Sequence, residues 1–275
     1  MKFSVCTTFS EQGYNKYGRR MIQSFLDNWP DEITLYVYYE NNKPEIENSQ
    51  IIYYDLLEVS PDLVNFKNKY KNEVIPRGIY QQKRYKIFRY DAVKFCHKIY
   101  CIYHASTTIK TDYLIWLDAD SYTYKNIPIS LFHELVTKKH YLTYLGRDGY
   151  DSKGKIMYSE CGFVIYNINH PQHLAFQKEM VHMYNSGDLF YEKEWHDSWI
   201  FDVVRRQFES RKLIKNININ VLNSLKHPFI NSILGNYIDH LKGVRRKSKK
   251  KSNIEDLESK NKNKHNFIEY LKKTY

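Results

Sequence analysis

Two kinds of apolar pattern alternate along the chain. Short runs rich in β-branched and aromatic residues predict strands, and longer runs in which apolar residues recur every three or four positions predict helices. The predicted strands are residues 2–8, 33–40, 51–56, 113–117, 141–145, 162–168 and 213–219. The predicted helices are residues 16–29, 83–105, 171–186 and 197–208, and the polar segment from residue 57 to about 80 favours an irregular loop.

The alternation of strand and helix in the first half predicts an α/β fold. We expect a Rossmann-like, mostly parallel central sheet with helices on both faces. The length of 275 residues allows one large domain of this kind or two small ones. No internal repeat is visible, and the sequence becomes highly charged near residue 247. We therefore expect one domain over residues 1–247, followed by a basic tail or short helix over residues 248–275.

Composition and charge limit the classes of protein to which this chain could belong. Hydrophobic residues make up 42% of the chain and aromatic residues 16%, which is typical of a globular protein and excludes a disordered one. The formal net charge is +11, which suggests an anionic partner such as a phosphate group. Seven of the lysines and arginines fall within residues 242–251, so much of this excess is local.

The cysteines and the apolar runs bear on location. The four cysteines, Cys6, Cys96, Cys101 and Cys161, show no disulfide or metal spacing and predict reduced thiols of a cytoplasmic protein. The N-terminal residues resemble a strand more than a signal peptide, and no run approaches the roughly 20 apolar residues that span a bilayer. A peripheral contact between the basic tail and an anionic membrane is a further hypothesis.

Two aspartates directly follow the apolar run Tyr113–Leu117. Ligands of open α/β sheets bind at the carboxyl ends of strands, where this order of residues places Asp118 and Asp120. Two neighbouring carboxylates repel each other unless a cation lies between them. Their hard oxygen atoms suit Mg²⁺ or Mn²⁺, which keep positions open for water and phosphates. The D-x-D pattern therefore predicts a metal site that holds a diphosphate.

A second pattern lies near the end of the predicted domain. His240, Gly243 and Arg246 occur in the order H-x-x-G-x-x-basic. An imidazole is a further metal ligand, a glycine permits close approach of the backbone, and the cations Lys242 and Arg246 suit phosphate oxygens. The spacing thus favours a second part of the same metal and diphosphate site.

Together these two motifs resemble those of nucleotide-sugar glycosyltransferases of the GT-A fold, and most closely the glycogenin and lipopolysaccharide galactosyltransferase group. The resemblance implies a hexosyltransferase that moves a sugar from a nucleoside diphosphate sugar, most of all a UDP-sugar, to an acceptor hydroxyl. The acceptor is expected to be a glycan, a lipid-linked molecule or a protein. The resemblance also implies a Mn²⁺ or Mg²⁺ cofactor bound by Asp118, Asp120 and His240, with Arg246 in the place of the family's lysine.

Other residues are assigned more loosely. The segment "SECGFVIYN" resembles the acceptor-side strand of that group, and "HDSWIFD" resembles a segment in which an aspartate opens a helix. Asp197 is our preferred catalytic carboxylate and Glu160 the second candidate, whether the transfer retains or inverts configuration. Tyr14 is a candidate for stacking on the base. The full set of predicted donor-binding residues is Thr7, Thr8, Tyr14, Arg84, Arg89, Asp118, Ala119, Lys242, Gly243 and Arg246.

Two rival functions use some of the same features. Haloacid-dehalogenase-type phosphatases also place a D-x-D after a strand, but near the N-terminus and followed by Thr or Val, where this chain has Tyr122. A basic nucleic-acid-binding protein would explain the charge and the aromatic residues. No recognised nucleic-acid module is visible, so no specific nucleic-acid partner is expected.

Overall fold

The computed structural model describes residues 1–79, 87–147, 149–151, 154–242 and 251–258. All seven predicted strands form at or near their expected positions, and two further short strands follow Asp120 and precede Leu241. The strands are β1 (Phe3–Ser10), β2 (Thr34–Glu40), β3 (Ile51–Asp55), β4 (Tyr113–Leu117), β5 (Ser121–Thr123), β6 (Leu142–Leu145), β7 (Glu160–Asn167), β8 (Asn216–Asn218) and β9 (Ile238–His240).

Seven of these strands form one sheet in the order β3-β2-β1-β4-β7-β6-β8. Neighbouring strands run parallel except at β7, which is antiparallel to both β4 and β6. The mostly parallel α/β sheet that the sequence predicts is therefore confirmed. Because β7 is reversed, its first residue, Glu160, lies at the edge where β4 ends, and the Asp118 backbone N–H there donates to the Gly162 carbonyl at 2.9 Å.

Helices connect the strands and cover the sheet. They are α1 (Glu11–Gly13), α2 (Arg19–Asn28), α3 (Leu56–Val59), α4 (Pro61–Tyr70), α5 (Ala92–Thr108), α6 (Ile129–Leu135), α7 (His173–Ser186) and α8 (Asp197–Ser210), with a π-helical turn at Tyr14–Gly18 between α1 and α2. Single 3-10 turns occur at Phe88–Tyr90, Asp188–Tyr191, Ile233–Asn236 and Ile254–Asp256. Within the described ranges, none of the helices has both the length and the apolarity that crossing a bilayer requires.

Two predictions of local structure were wrong. The segment after β3 is not an irregular loop but forms α3 and α4, because Pro61 starts a helix whose Leu63 and Phe66 are buried against the body. The helix expected from residue 83 begins only at Ala92, where the Asp91 side chain accepts a hydrogen bond from the Lys94 backbone and so caps it. Residues 80–86 lie outside the described part of the chain.

The core consists of two apolar layers, one on each face of the sheet. Alternate residues of β4 serve the two layers: Leu114 and Trp116 face one, and Tyr113, Ile115 and Leu117 face the other. All five are buried, which explains why this strand appears in the sequence as a continuous apolar run. Packing on both faces therefore fixes the position of β4. It also fixes the point at which the segment with Asp118 and Asp120 begins.

A second, two-stranded sheet joins β5 to β9 and receives part of the predicted tail. Ser252 is fully buried and donates hydrogen bonds from its backbone N–H and its hydroxyl to Asp239 of β9, at 2.9 and 2.7 Å. Leu257 is also fully buried and packs with Ile230. Residues 251–258, which the sequence assigned to the tail, thus pack against the body.

The packing of Leu257 yields a prediction about stability. We expect Leu257→Ala to lower the free energy of unfolding by about 2–3 kcal/mol, because truncation of a buried leucine removes apolar contacts and leaves a cavity. Urea unfolding of the full chain measures this. Ile254→Ala is the matched control, since Ile254 belongs to the same segment but is 41% exposed. Equal stability of the Leu257 variant and the unaltered protein would mean that this segment does not contribute to the fold.

Candidate active site

A cleft of about 680 Å³ opens where the parallel strands end. Its walls come from the ends of β1, β2 and β4, the start of β7, and helices α5 and α8. The walls include both predicted catalytic carboxylates, Glu160 and Asp197, and all three predicted metal ligands. The topology thus brings residues that are far apart in the sequence to one edge of the sheet, as expected for an α/β fold.

Asp118, Asp120 and His240 converge at this cleft. The Nε2 atom of His240 lies 3.0 Å from an Asp120 oxygen and 3.6 Å from an Asp118 oxygen. One ligand atom from each of the three residues lies within 4.8 Å of the others. Two carboxylates and an imidazole at this spacing are a donor set that suits Mn²⁺ or Mg²⁺. The residues present therefore fit the divalent ion that the sequence implies.

The small sheet explains how a histidine 120 residues later reaches the aspartates. Ser121 of β5 pairs with His240 of β9, and the Leu241 backbone N–H donates to the Asp120 carbonyl at 3.1 Å. The His240 ring then lies against Gly162, where a Cβ atom would be only 2.7 Å from the ring carbon Cε1. A glycine is therefore needed at position 162 for the imidazole to occupy this place.

Lys98 of α5 balances the negative charges of Asp118 and Asp197. Its Nζ atom lies 3.0 Å from Asp118 and 2.8 Å from Asp197, and it also donates to the Cys161 carbonyl. Burial alone would lower the pKa of this lysine, but the two adjacent carboxylates outweigh burial and raise the pKa above its ordinary value. Lys98 is thus held as a cation that links Asp118, at the end of β4, to Asp197, at the start of α8.

Glu160 and Lys242 form a second ion pair at the opposite side of His240. The Lys242 ammonium contacts one Glu160 oxygen, and the other oxygen lies 3.5 Å from Nδ1 of His240. Burial raises the pKa of Glu160, but Lys242 and His240 together lower it well below its usual range. For His240, burial lowers the pKa, while Asp120 and Glu160 raise it by a larger amount. Glu160 is thus an anion at the cleft wall.

The predicted donor-binding residues are distributed unevenly. Thr8 and Ala119 line the cleft beside the aspartates, and Lys242 lines it beside His240. Thr7 is a fully buried residue within β1, and Tyr14 is buried with its hydroxyl donating to Glu45, so neither is among the residues that line the cleft.

The predicted arginines do not contribute to the described walls of the cleft. Arg89 lies in the 3-10 turn before α5 and not on the helix, and its guanidinium is 3.7 Å from the Glu194 carboxylate. Arg84, Gly243 and Arg246 lie outside the described residues.

Several cleft residues were missed by the sequence analysis. Lys98 is the clearest case, and a signal for it existed. It lies on the same helical face as Cys101 and Ile102, where a lysine is unusual unless it is paired. His196 and Tyr158 also line the cleft, and nothing in their sequence context distinguishes them from other aromatic residues.

Comparison with known proteins gives structural likeness only. No protein-family model matches the chain, and no curated protein sequence matches it. Among solved structures, mouse xyloside xylosyltransferase 1 is 12% identical, with 80% of this chain and 86% of that chain covered and a TM-score of 0.48. A glycosyltransferase involved in glycosylation of the major capsid of PBCV-1 is 12% identical, with 91% and 100% covered and a TM-score of 0.48.

A third similar structure is the mannosyltransferase Ktr4p of S. cerevisiae, which is 9% identical, with 74% of this chain and 65% of that chain covered and a TM-score of 0.47. All three are glycosyltransferases, the class that the two sequence motifs indicated. Because the TM-scores lie below 0.5, the likeness carries no weight for the chemistry, which has to follow from the residues of the cleft.

The contact between Gly162 and His240 yields a prediction about metal binding. We expect Gly162→Ala to weaken Mn²⁺ binding about tenfold or more, because the added methyl group displaces the imidazole from the two aspartates. Titration of free Mn²⁺ by electron paramagnetic resonance measures the affinity. Gly187→Ala is the control: its backbone φ of +88° also disfavours alanine, but it lies at the end of α7 and does not line the cleft. Unchanged Mn²⁺ affinity in the Gly162 variant would exclude His240 as a ligand.

Proposed function

We propose that the protein is a metal-dependent glycosyltransferase of the hexosyltransferase class. It transfers a sugar from a nucleoside diphosphate sugar, with UDP-sugars as the first candidates, to an acceptor hydroxyl. The observation that supports this most directly is the convergence of Asp118, Asp120 and His240 in a cleft that also holds the cations Lys98 and Lys242. Carboxylates alone would repel a diphosphate, whereas this mixture of ligands and cations suits one.

Each group near the metal site has a separate task. Asp118, Asp120 and His240 would hold Mn²⁺ or Mg²⁺, which when bound stabilises the negative charge of a departing diphosphate. Lys242 lies on the Glu160 side of His240 and offers an ammonium to phosphate oxygens. Glu160 keeps that ammonium in the cleft until a phosphate group competes for it.

Asp197 is the carboxylate that we assign to the transfer itself. One of its oxygens is bound by Lys98 at 2.8 Å, and the residue begins α8 at the cleft wall. In an inverting transfer, Asp197 would accept the proton of the acceptor hydroxyl as a general base. In a retaining transfer, it would stabilise the positive charge that develops on the donor sugar. Lys98 fixes its position in both cases.

The nucleoside would occupy the part of the cleft formed by the end of β1. Thr8, Phe9 and Ser10 line this part, and the π-helical turn adds Tyr17. Because Tyr14 is buried and bonded to Glu45, we propose Tyr17 in its place as the ring that contacts the base. The acceptor would enter from the other end of the cleft.

The first test of this function is metal-dependent release of the nucleotide. We expect the protein to release UDP from at least one member of a panel of UDP-sugars when Mn²⁺ is present, and a chelator to abolish release. Asp120→Asn is expected to reduce the rate about a hundredfold or more, because the amide loses the charge that binds the ion.

Asp188→Asn is the matched control, since Asp188 is 50% exposed at its side chain and does not line the cleft. Release that persists at full rate in Asp120→Asn would contradict the metal assignment. A stable phosphoenzyme formed on Asp118 would instead favour a phosphatase.

A second test separates Lys98 from the metal ligands. We expect Lys98→Met to reduce nucleotide release about tenfold or more while Mn²⁺ affinity does not fall, because the lysine orients Asp197 and is itself no ligand. Lys98→Arg should recover part of the rate, and the exposed Lys110→Met should have no effect. Loss of Mn²⁺ binding in parallel with activity would show that Lys98 acts only by supporting Asp118.

A further inference from the structure

A cluster of aromatic rings forms the end of the cleft that the donor scheme does not use. The His196 ring lies at the centre of this cluster, 4.4 Å from Tyr158, 6.0 Å from Phe88 and 6.0 Å from Phe95, measured between ring centroids. All four rings line the cleft. Phe88 is 49% exposed, although exposure of a phenylalanine brings no gain in folding. The cluster therefore offers an apolar surface to a ligand.

His196 is held in a defined orientation by a buried carboxylate. Its Nε2 atom lies 2.9 Å from Glu194, whose side chain is only 3% exposed and is also contacted by Lys155 at 3.0 Å. Burial raises the pKa of Glu194, but the bonds from His196 and Lys155 outweigh it and lower the pKa below its ordinary value. Since an ionised carboxylate only accepts hydrogen bonds, Nε2 carries the proton. In the neutral imidazole, Nδ1 is then a hydrogen-bond acceptor.

The other ring nitrogen of His196 points towards Asp197. Nδ1 lies 4.0 Å from the Asp197 oxygen that Lys98 does not bind. Two acceptor atoms at this separation do not bond to each other, but a hydroxyl oxygen can lie about 2.8 Å from both of them. Two adjacent hydroxyl groups would supply a proton to each. The arrangement thus pairs two hydrogen-bond acceptors with an apolar aromatic wall.

We infer that this cluster is the acceptor subsite and that it takes a carbohydrate ring. A pyranose presents an apolar C–H face, which suits Phe88 and Tyr158, and neighbouring hydroxyls, which suit His196 and Asp197. The inference rests on the proposed function, because the acceptor hydroxyl has to lie beside Asp197 for transfer. The inference goes beyond the proposed function because it selects a sugar as the acceptor. A serine, threonine or tyrosine hydroxyl would not use both the aromatic wall and the pair of hydrogen-bond acceptors.

Binding of simple sugars to the full chain tests this subsite without turnover. The probes are methyl β-D-glucopyranoside, methyl β-D-galactopyranoside and methyl α-D-mannopyranoside, added to the protein with UDP and Mg²⁺. Saturation-transfer nuclear magnetic resonance reports which sugar protons contact the protein and, by titration, the affinity. We expect at least one of the three to bind with its C–H face in contact.

Two variants address the two halves of the subsite. Phe88→Ala removes an exposed ring, and His196→Gln keeps an amide donor for Glu194 while removing the acceptor at Nδ1. We expect each to weaken sugar binding about tenfold, with the melting temperature retained. Tyr191→Ala is the control, because Tyr191 is an aromatic residue that is 91% exposed outside the cleft. It should bind the sugars as the unaltered protein does.

The outcomes separate the two proposals. Failure of all three sugars to bind, or equal binding in Phe88→Ala and His196→Gln, would overturn the subsite. The affinity for UDP with Mg²⁺, and the release of UDP from UDP-sugars without added UDP, are measured on separate aliquots of the same protein preparations and report only the donor chemistry. Sugar binding that depends on Phe88 in a protein that releases no nucleotide would overturn the proposed function and leave a carbohydrate site.

Discussion

Charge balance among buried groups is the constraint on which this cleft depends. Asp118, Glu160 and Asp197 are brought to one edge of the sheet, where water is partly excluded and where like charges repel strongly. Lys98 lies between two of these carboxylates, and Lys242 lies against the third. The cations make the cluster compatible with folding, and the same cations suit a negatively charged ligand.

The position of His240 shows how the fold completes the site. The histidine comes from a buried three-residue strand, and it is fixed by pairing with β5, by the space above Gly162 and by the segment that follows it. Ser252 bonds to Asp239, the neighbour of His240, and so holds β9 from its outer side. Residues 251–258, which look like part of a solvated tail in the sequence, therefore support the strand that carries His240, one of the three residues that could hold a metal ion.

The two ends of the cleft differ in character. One end consists of a strand terminus, a π-helical turn and small polar residues, and the other consists of aromatic rings around a histidine held by Glu194. One oxygen of Asp197 is bound by Lys98, and the other lies 4.0 Å from Nδ1 of His196. In the scheme that we propose, the donor binds at the first end and the acceptor at the second. Asp197 then assists formation of the bond between the donor sugar and the acceptor hydroxyl.

The sequence by itself predicted the seven strands of the main sheet, four of the eight α-helices in the described part of the chain (α2, α5, α7 and α8) and the three residues that could hold a metal ion. It did so because a buried parallel strand must be apolar throughout, and because Asp118 and Asp120 directly follow such a strand. The sequence could not place His196 or Tyr14, because a histidine before a helix and a tyrosine among many have no local signature of function. For Lys98, the inward helical position indicated a paired lysine but did not identify Asp118 and Asp197 as its partners. Only the tertiary structure decided which of them meet the cleft, because that depends on the reversal of β7 and on the packing of α5 and α8 across the sheet edge.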